Sequence, residues 1–406
     1  MNKKKIREYL HFGYLPAVKN RYPFDISSAK PGKVPDNRSG CVTEMYKLFS
    51  KMIRNDSAQK PIVVPLSGGV DSRLILAGLF HELGPEQITA ITFGVPESLD
   101  MKLAKQVTEK FNIRHHLMNL EEAEISEEKL LNFIRESEKP PVQLLDAFYN
   151  QSLRDHYGAD VAYFSGFIGD RITGSIPRAL CETESFEDAL SQFLQNSRYD
   201  RTGFLPVLPP SAFTLEDDSC LFLSPYEKID YRIRQMNMTV PIVLDKRYDI
   251  RTPLIDPDWV SFFYSLDSRF RDSQNLFFEM AAACYPDFFS IGIKNFFGAP
   301  IRSSQFRKNV SRKISYGKRV LHRKFPRLPV HDPLINYVDP YWFYVRNPGT
   351  AKMVEKSISD LAKRSVLKEL DPHYALDKLK RGKMEYVRAV ELLFNLEIYL
   401  KAGTFS

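Results

Sequence analysis

The chain offers little cysteine from which to build a metal or redox centre. Only four occur in 406 residues, Cys41, Cys181, Cys220 and Cys284. No two of them form a C-x-x-C pair, which removes zinc-ribbon and dithiol chemistry and leaves reduced, packed thiols as the expectation. No apolar run approaches the roughly 20 residues needed to span a bilayer. The N-terminal MNKKKIREYLHFGYLP is basic but has neither an apolar core of signal-peptide length nor a small-residue cleavage site. A cytoplasmic protein without a membrane partner is the expectation. The phosphate loop G-x-x-x-x-G-K-[ST] is also missing, so a kinase or motor loses most of its support. Internal repeats and low-complexity segments are absent.

Acids are missing locally. The formal charge of +7 is uneven, because residues 302–327, RSSQFRKNVSRKISYGKRVLHRKFPR, contain neither Asp nor Glu. Such a run is a solvated basic connector, or it meets an anionic partner such as nucleic acid, membrane phosphate or an acidic substrate. Its Phe306, Ile314, Tyr316, Val320, Leu321 and Phe325 lead us to expect that part of it packs against the body of the protein.

What is present is an alternation of strand and helix patterns. With 43% hydrophobic and 26% charged residues, the chain is of ordinary globular composition and long enough for two packed regions. Residues 1–40 read as loose. Met45, Leu48, Phe49 and Met52 fall at helical spacing from about Val42 onward. Strands are expected at Ile62 to Leu66, Ile88 to Val95, His115 to Leu120 and Asp160 to Ser165. Helices are expected at Asp71 to Leu83, closed by Gly84-Pro85, at Leu99 to Phe111, at 121–137 and at Gln143 to Tyr157. This order predicts an α/β fold, a parallel sheet with helices on both faces, and ligands outside the carboxyl ends of its strands. After about Pro177 the alternation stops and the chain reads as mainly helical. Val387, Val390, Leu393, Leu396 and Leu400 predict a last helix that packs back on the body.

Two glycine-bearing turns follow two different strands, PLSGGVDSRL at 65–74 and SGFIGDRITGS at 165–175, so both can face one crevice. A glycine turn leading into a helix N-terminus is an anion site: N–H groups point outward and the helix dipole adds partial positive charge. Gly68 and Gly69 allow close approach of phosphate oxygens, and Ser67 and Ser72 add hydroxyls. A carboxylate there, Asp71, would repel phosphate unless a divalent cation lies between, so the turn suggests a nucleotide phosphate with magnesium. The alternative is a plain turn with Asp71 as a helix cap.

LSGGVDSRL resembles the SGGxDS signature of the N-type ATP pyrophosphatases, the PP-loop enzymes. ITFGVPESLDMKLAKQVTEKFNIRHH, YFSGFIGDRITGS, DIRTPLIDPDWVSFFYSL and FSIGIKNFFGAP are similar, in order, to segments of the asparagine synthetase family. YLHFGYLPA and AKPGKVPD are similar to the end of that family's N-terminal domain. The resemblance implies an adenine nucleotide α-hydrolase-like fold with a helical C-terminal region. It divides the chain into a remnant N-terminal segment at 1–40, the ATP pyrophosphatase domain at 41–300 and a basic helical region at 301–406. It implies ATP and Mg2+. Ser67, Gly68, Gly69, Asp71 and Ser72 would hold the β and γ phosphates, and Leu66, Phe93–Gly94 and Ser165–Gly166 would lie along the adenosine. Asp71 and Asp170 would bind magnesium, and Lys294 would stabilise charge as an adenylate forms. Arg73, in place of the family's second serine, would reach toward phosphate or a substrate carboxylate.

The family's glutaminase half is not expected here, since Asn2 stands where its nucleophilic cysteine would follow the initiator Met1. A separate glutaminase, free ammonia or another amine would then supply nitrogen. Phe167 stands at the position of the family's amide-forming glutamate, and Arg171 where an acid is usual. The implied function is an ATP-dependent amide-forming ligase, asparagine synthetase-like, that adenylates a small-molecule or peptide carboxylate and releases pyrophosphate. Asp249, Arg251 and Asp256 are candidate substrate-pocket groups. The alternatives are a tRNA-modifying PP-loop enzyme, which the basic charge favours, and a nucleotide-binding pseudoenzyme or scaffold subunit, which Phe167 and Arg171 favour.

Overall fold

The computed structural model describes residues 2–16, 32–56, 60–137, 139–213, 223–325, 328, 330–364 and 366–405. Cys220 and residues 17–31, part of the N-terminal resemblance, lie outside them. The first helix is α1 (Lys3–Phe12), where a loose segment is expected from sequence. Asn2 caps it and Gly13, at φ 77°, ends it. Its Ile6, Tyr9, Leu10 and Phe12 are buried, so the apolar face that looks aperiodic in the sequence packs against distant helices. Helix α2 (Arg38–Asp56) precedes the sheet.

The sheet is parallel and five-stranded: β1 (Ile62–Pro65), β2 (Ile88–Gly94), β3 (Arg114–Asn119), β4 (Ala162–Phe164) and β5 (Asp249–Arg251), in the order β3-β2-β1-β4-β5. The helices between are α3 (Val70–Leu83), α4 (Leu99–Lys110), α5 (Glu127–Ser137) and α6 (Leu144–Tyr157). Four strands lie where the sequence pattern places them. The fifth is three residues long, too short to show periodicity. Alternation sorts β1 between two cores: Ile62, Val64 and Leu66 face the one that includes α2 and α3, while Val63 faces the one with Ile91, Leu153 and Tyr163.

Because β1 pairs with both β2 and β4, the strand order reverses between β1 and β4. At such a switch point the connections leave on opposite faces and open a crevice at the carboxyl ends. The turns that leave β1 and β4 are the two glycine turns.

A third core joins α1, α5 and α6 to the C-terminal helices. The last helix, Val387–Lys401, buries residues around most of its circumference, as expected for a helix folded back on the body. Glu397, with a fully buried side chain, is met there by the Arg364 guanidinium at 2.8 Å, which offsets its desolvation. Among the described residues no single helix is long and apolar enough to cross a membrane.

Candidate active site

The first turn, Leu66 to Ser72, is knit by its own polar groups. The Ser67 N–H donates to the Ser72 Oγ at 3.0 Å, and the Gly69 N–H donates to the Ser67 Oγ at 3.2 Å. The Gly68 N–H donates to the Asp100 Oδ1 at 2.8 Å. The other Asp100 oxygen accepts from the Lys294 ammonium, and the Lys294 N–H donates to the Gly68 carbonyl at 2.8 Å. Asp100 therefore clamps the glycine turn to the lysine loop, from the first turn of α4. Gly69 is the N-cap of α3 and offers no side-chain cap, so the first-turn N–H groups of a 14-residue helix have no capping side chain.

The second turn, Ser165 to Asp170, lies directly on Asp71. A Cβ at Gly166 would stand 2.8 Å from the Asp71 Cβ, and one at Gly169 would stand 3.0 Å from the Asp71 Oδ1 and 2.4 Å from Leu254. Only glycine fits at either place. The turn holds Ile168 at φ 57°, a conformation that costs a β-branched residue about 1–3 kcal/mol. Burial of Phe167 and Ile168, at 4% and 5% exposure, offsets it. Phe167 is thus a core residue beneath the crevice. The place where the family motif carries an acid holds an aromatic that anchors the turn.

Asp71 and Asp170 face one another. Burial, and then the Asp170 charge, push the Asp71 carboxyl up to about 8. Its Oδ1 has no hydrogen-bond partner. Asp170 accepts from the Ser175 hydroxyl at 3.0 Å and stands 3.8 Å from the Arg171 guanidinium, which also reaches Asp230 at 3.9 Å. Among the described residues no group of three or more His, Cys, Asp or Glu could enclose a metal by itself. Two facing carboxylates, one with an orphaned oxygen, suit magnesium that completes its shell with phosphate oxygens and water.

Several expected residues lie elsewhere. Arg73 leaves the crevice: its side chain is fully buried beneath α3, donates to the carbonyls of Phe288 and Ile291 at 3.4 and 3.1 Å, and lies over the Phe289 ring. Burial lowers its guanidinium to about 9, and its Nε and Nη2 have no partner. The cause is helical geometry, since a residue two positions after Asp71 points to the opposite side of α3. We expect Arg73→Met to leave ATP affinity unchanged and stability within about 1–2 kcal/mol of wild type, because the lost hydrogen bonds are balanced by relief of a poorly satisfied buried cation. Isothermal titration and thermal melts check this; a large loss of ATP affinity with an intact fold would return Arg73 to the crevice.

Leu66 is a sheet residue with both main-chain groups engaged, its N–H by the Ile91 carbonyl and its carbonyl by Thr92. Ser165 likewise donates its N–H to the Arg251 carbonyl at 2.9 Å. Asp249 and Arg251 pair with each other at 2.6 Å, and Asp256 caps the following helix through the Asp258 N–H at 2.9 Å. Asp249 and Arg251 are thus engaged with each other, and Asp256 with the helix it caps.

Phe93 and Gly94 are covered by a segment that follows the basic run. Tyr337 packs on the Phe93 ring at 5.5 Å, and the Asn336 carbonyl stands 2.6 Å from where a Gly94 Cβ would be. The Asn336 side chain also accepts from the Lys294 ammonium. Nothing in the sequence points to residues 42 positions from Lys294, because such contacts depend on the closure of a long loop.

Asn336 and Tyr337 also line a cavity of about 1370 Å3, together with Tyr14, Asp146, Tyr149 and Arg388 among others. The Tyr14 and Tyr149 hydroxyls, Gln143 Oε1 and Arg198 Nη2 have no hydrogen-bond partner there. Burial, and then the charge of Glu391, raise the Asp146 carboxyl to about 7. The visible signal was an acid within the otherwise apolar LLDAFY of α6.

No curated protein matches the chain. Residues 47–201 match the family model of asparagine synthase, a span that runs from α2 through β1 to β4, contains both glycine turns, and stops before the lysine loop. The part of the chain that builds the two turns and carries Asp100 is therefore similar to the asparagine synthase family.

Proposed function

We propose that the protein is an ATP-dependent amide-forming ligase that adenylates a carboxylate and then transfers the acyl group to ammonia or an amine. The observation that carries this reading is the convergence of Asp71, Asp170, Lys294 and the uncapped start of α3 on one crevice.

In the first step a substrate carboxylate oxygen attacks the α-phosphorus of ATP. The bond from that phosphorus to the bridging oxygen breaks, and pyrophosphate leaves with the electron pair. The first turn of α3, with Ser67 and Ser72, would receive the departing phosphates, and Lys294 would offset charge on the α-phosphate. Asp100 keeps Lys294 in position by holding both the lysine and the turn. Magnesium at Asp71 and Asp170 would neutralise phosphate charge. In the second step the amine attacks the acyl carbon, AMP leaves, and the nitrogen loses a proton. Phe167 cannot take that proton. Asp146, in the cavity that Asn336 and Tyr337 also line, would be the group to take it, its carboxyl raised by burial and by the Glu391 charge to about 7.

A nucleotide-binding protein without turnover is the competing reading. The internally satisfied Gly68 N–H and the cover over Phe93 and Gly94 favour it. Pyrophosphate release from ATP and magnesium, measured over a panel of carboxylates and amines, separates the two. We expect release with at least one pair, and for that pair Asp146→Asn should lower the rate of amide formation while leaving carboxylate-dependent ATP–pyrophosphate exchange intact. ATP binding with no release for any pair would favour the competing reading.

A further inference from the structure

The basic run forms a 20-residue helix, Gln305–Lys324, that is mounted with its apolar side outward. Its buried residues are Ser315 and His322. It is fastened to the body by polar groups: Arg319 to Asp332 at 3.0 Å, His322 Nδ1 to the Val330 carbonyl at 2.8 Å, and Lys308 over the Phe296 ring. Phe306, Val310, Ile314 and Leu321 are 78%, 40%, 57% and 46% exposed. At about 100° per residue these four fall within about 80° of arc, centred about 130° from Ser315 and His322. Phe325 and Leu328, also about half exposed, continue the stripe past the helix end. Part of this segment packs against the body, as expected, with Tyr316 on the Phe297 ring at 5.6 Å, but the stripe from Phe306 to Leu321 is left free.

Cations surround the stripe. Arg307 and Lys318 flank one edge, Lys313 and Lys324 lie at the other, and Arg312 and Arg323 stand farther round the helix. All six are exposed and have no ion-pair partner among the described residues. The helix contains no acid. We propose that this helix docks the protein on an anionic lipid surface. The apolar stripe would enter the headgroup–acyl boundary while the long basic side chains reach out of that plane to lipid phosphates.

The chemistry separates this occupant from others. A second copy of the helix would set the four unpaired cations at the stripe's edges against four more, which like-charge repulsion opposes. A nucleic acid would use the cations but leave Val310, Ile314 and Leu321 in water, since phosphate and base contacts do not require aliphatic side chains. Only a boundary that is apolar within and anionic at its rim satisfies both sets. The proposal does not depend on the ligase reading.

The test is co-sedimentation of the full chain with vesicles of phosphatidylcholine alone and with vesicles that also contain phosphatidylglycerol. Binding is expected only to the second kind and should weaken as salt is raised. Phe306→Ser with Ile314→Ser, both on exposed positions, should lower the partition coefficient by about tenfold or more, as should Lys313→Glu with Lys318→Glu. Nucleotide binding should be unchanged in both variants, which checks folding. Absence of vesicle binding overturns the proposal. So does binding that the serine variant leaves intact, which would mean a purely electrostatic contact. A gel shift of tRNA without vesicle binding would assign the surface to nucleic acid, and concentration-dependent dimerisation lost in the serine variant would assign it to a second copy.

Discussion

Asp71→Asn is expected to abolish pyrophosphate release while making the metal-free protein more stable. The loss of activity should be about 10²–10³-fold or more, because on the proposed reading the substitution would remove a charged metal ligand where phosphate charge is to be neutralised. The gain in stability follows from the position of the group. Its carboxyl is held near 8 in the folded protein against an ordinary 3.8. Between those values the unfolded chain is ionised at this position and the folded, metal-free chain keeps its proton. The group's contribution to stability is therefore complete below about pH 4 and is lost as pH rises toward 8. Asparagine does not titrate, so the melting temperature of the variant should exceed that of wild type by a margin that widens over this window. Magnesium with ATP should reverse the order, since on the proposed reading it would bind the ionised carboxylate and stabilise only wild type. Thermal melts over pH, with and without Mg–ATP, read both effects. A variant equal to wild type at every pH would mean that Asp71 is neither desolvated nor a ligand.

Lys294→Met should lower ATP–pyrophosphate exchange by about 10²–10³-fold, the usual range for a single charge-stabilising donor. It should also destabilise the fold by about 1–3 kcal/mol, because the Asp100 carboxylate loses its cation while nearly buried. Asp100 has a side chain only 8% exposed, and its remaining partner is the Gly68 N–H at 2.8 Å. The two losses can be separated. Adding Asp100→Asn removes the stranded charge and keeps an oxygen for Gly68, so the double variant should recover stability but not activity. Recovery of both would place Lys294 as a structural clamp alone.

The sequence patterns that survive folding are those set by short-range geometry. The Ile62–Pro65 strand, the Val70–Leu83 helix and the turn between them are contiguous, so their periodicity and glycines can be read directly. The same holds for β2 and β3 and the helices beside them. Legibility fails where a partner is remote. Helix α1 looks loose because Tyr9 and Phe12 pack on remote residues, Phe12 on Phe193 and Tyr9 on Tyr399, the latter nearly the length of the chain away. Arg73 sits within the signature of the first turn, yet the rotation of α3 sends it to the carbonyls of Phe288 and Ile291. The basic helix shows the converse: its apolar residues were visible, but which face would meet the body was not.

The amino-acid sequence by itself determined the alternating strands and helices, the two glycine turns, and the likeness of residues 47–201 to the asparagine synthase family, because these follow from the local fit of side chains to backbone. Tertiary structure alone decided that the turns share a switch point and that Asp71 faces Asp170. It also decided that Asp100 joins Gly68 to Lys294, and that Asn336 and Tyr337 cover Phe93 and Gly94. Each of these depends on closing loops of tens to hundreds of residues, and their geometry is set by the packing of whole elements rather than by any local preference of the residues that meet.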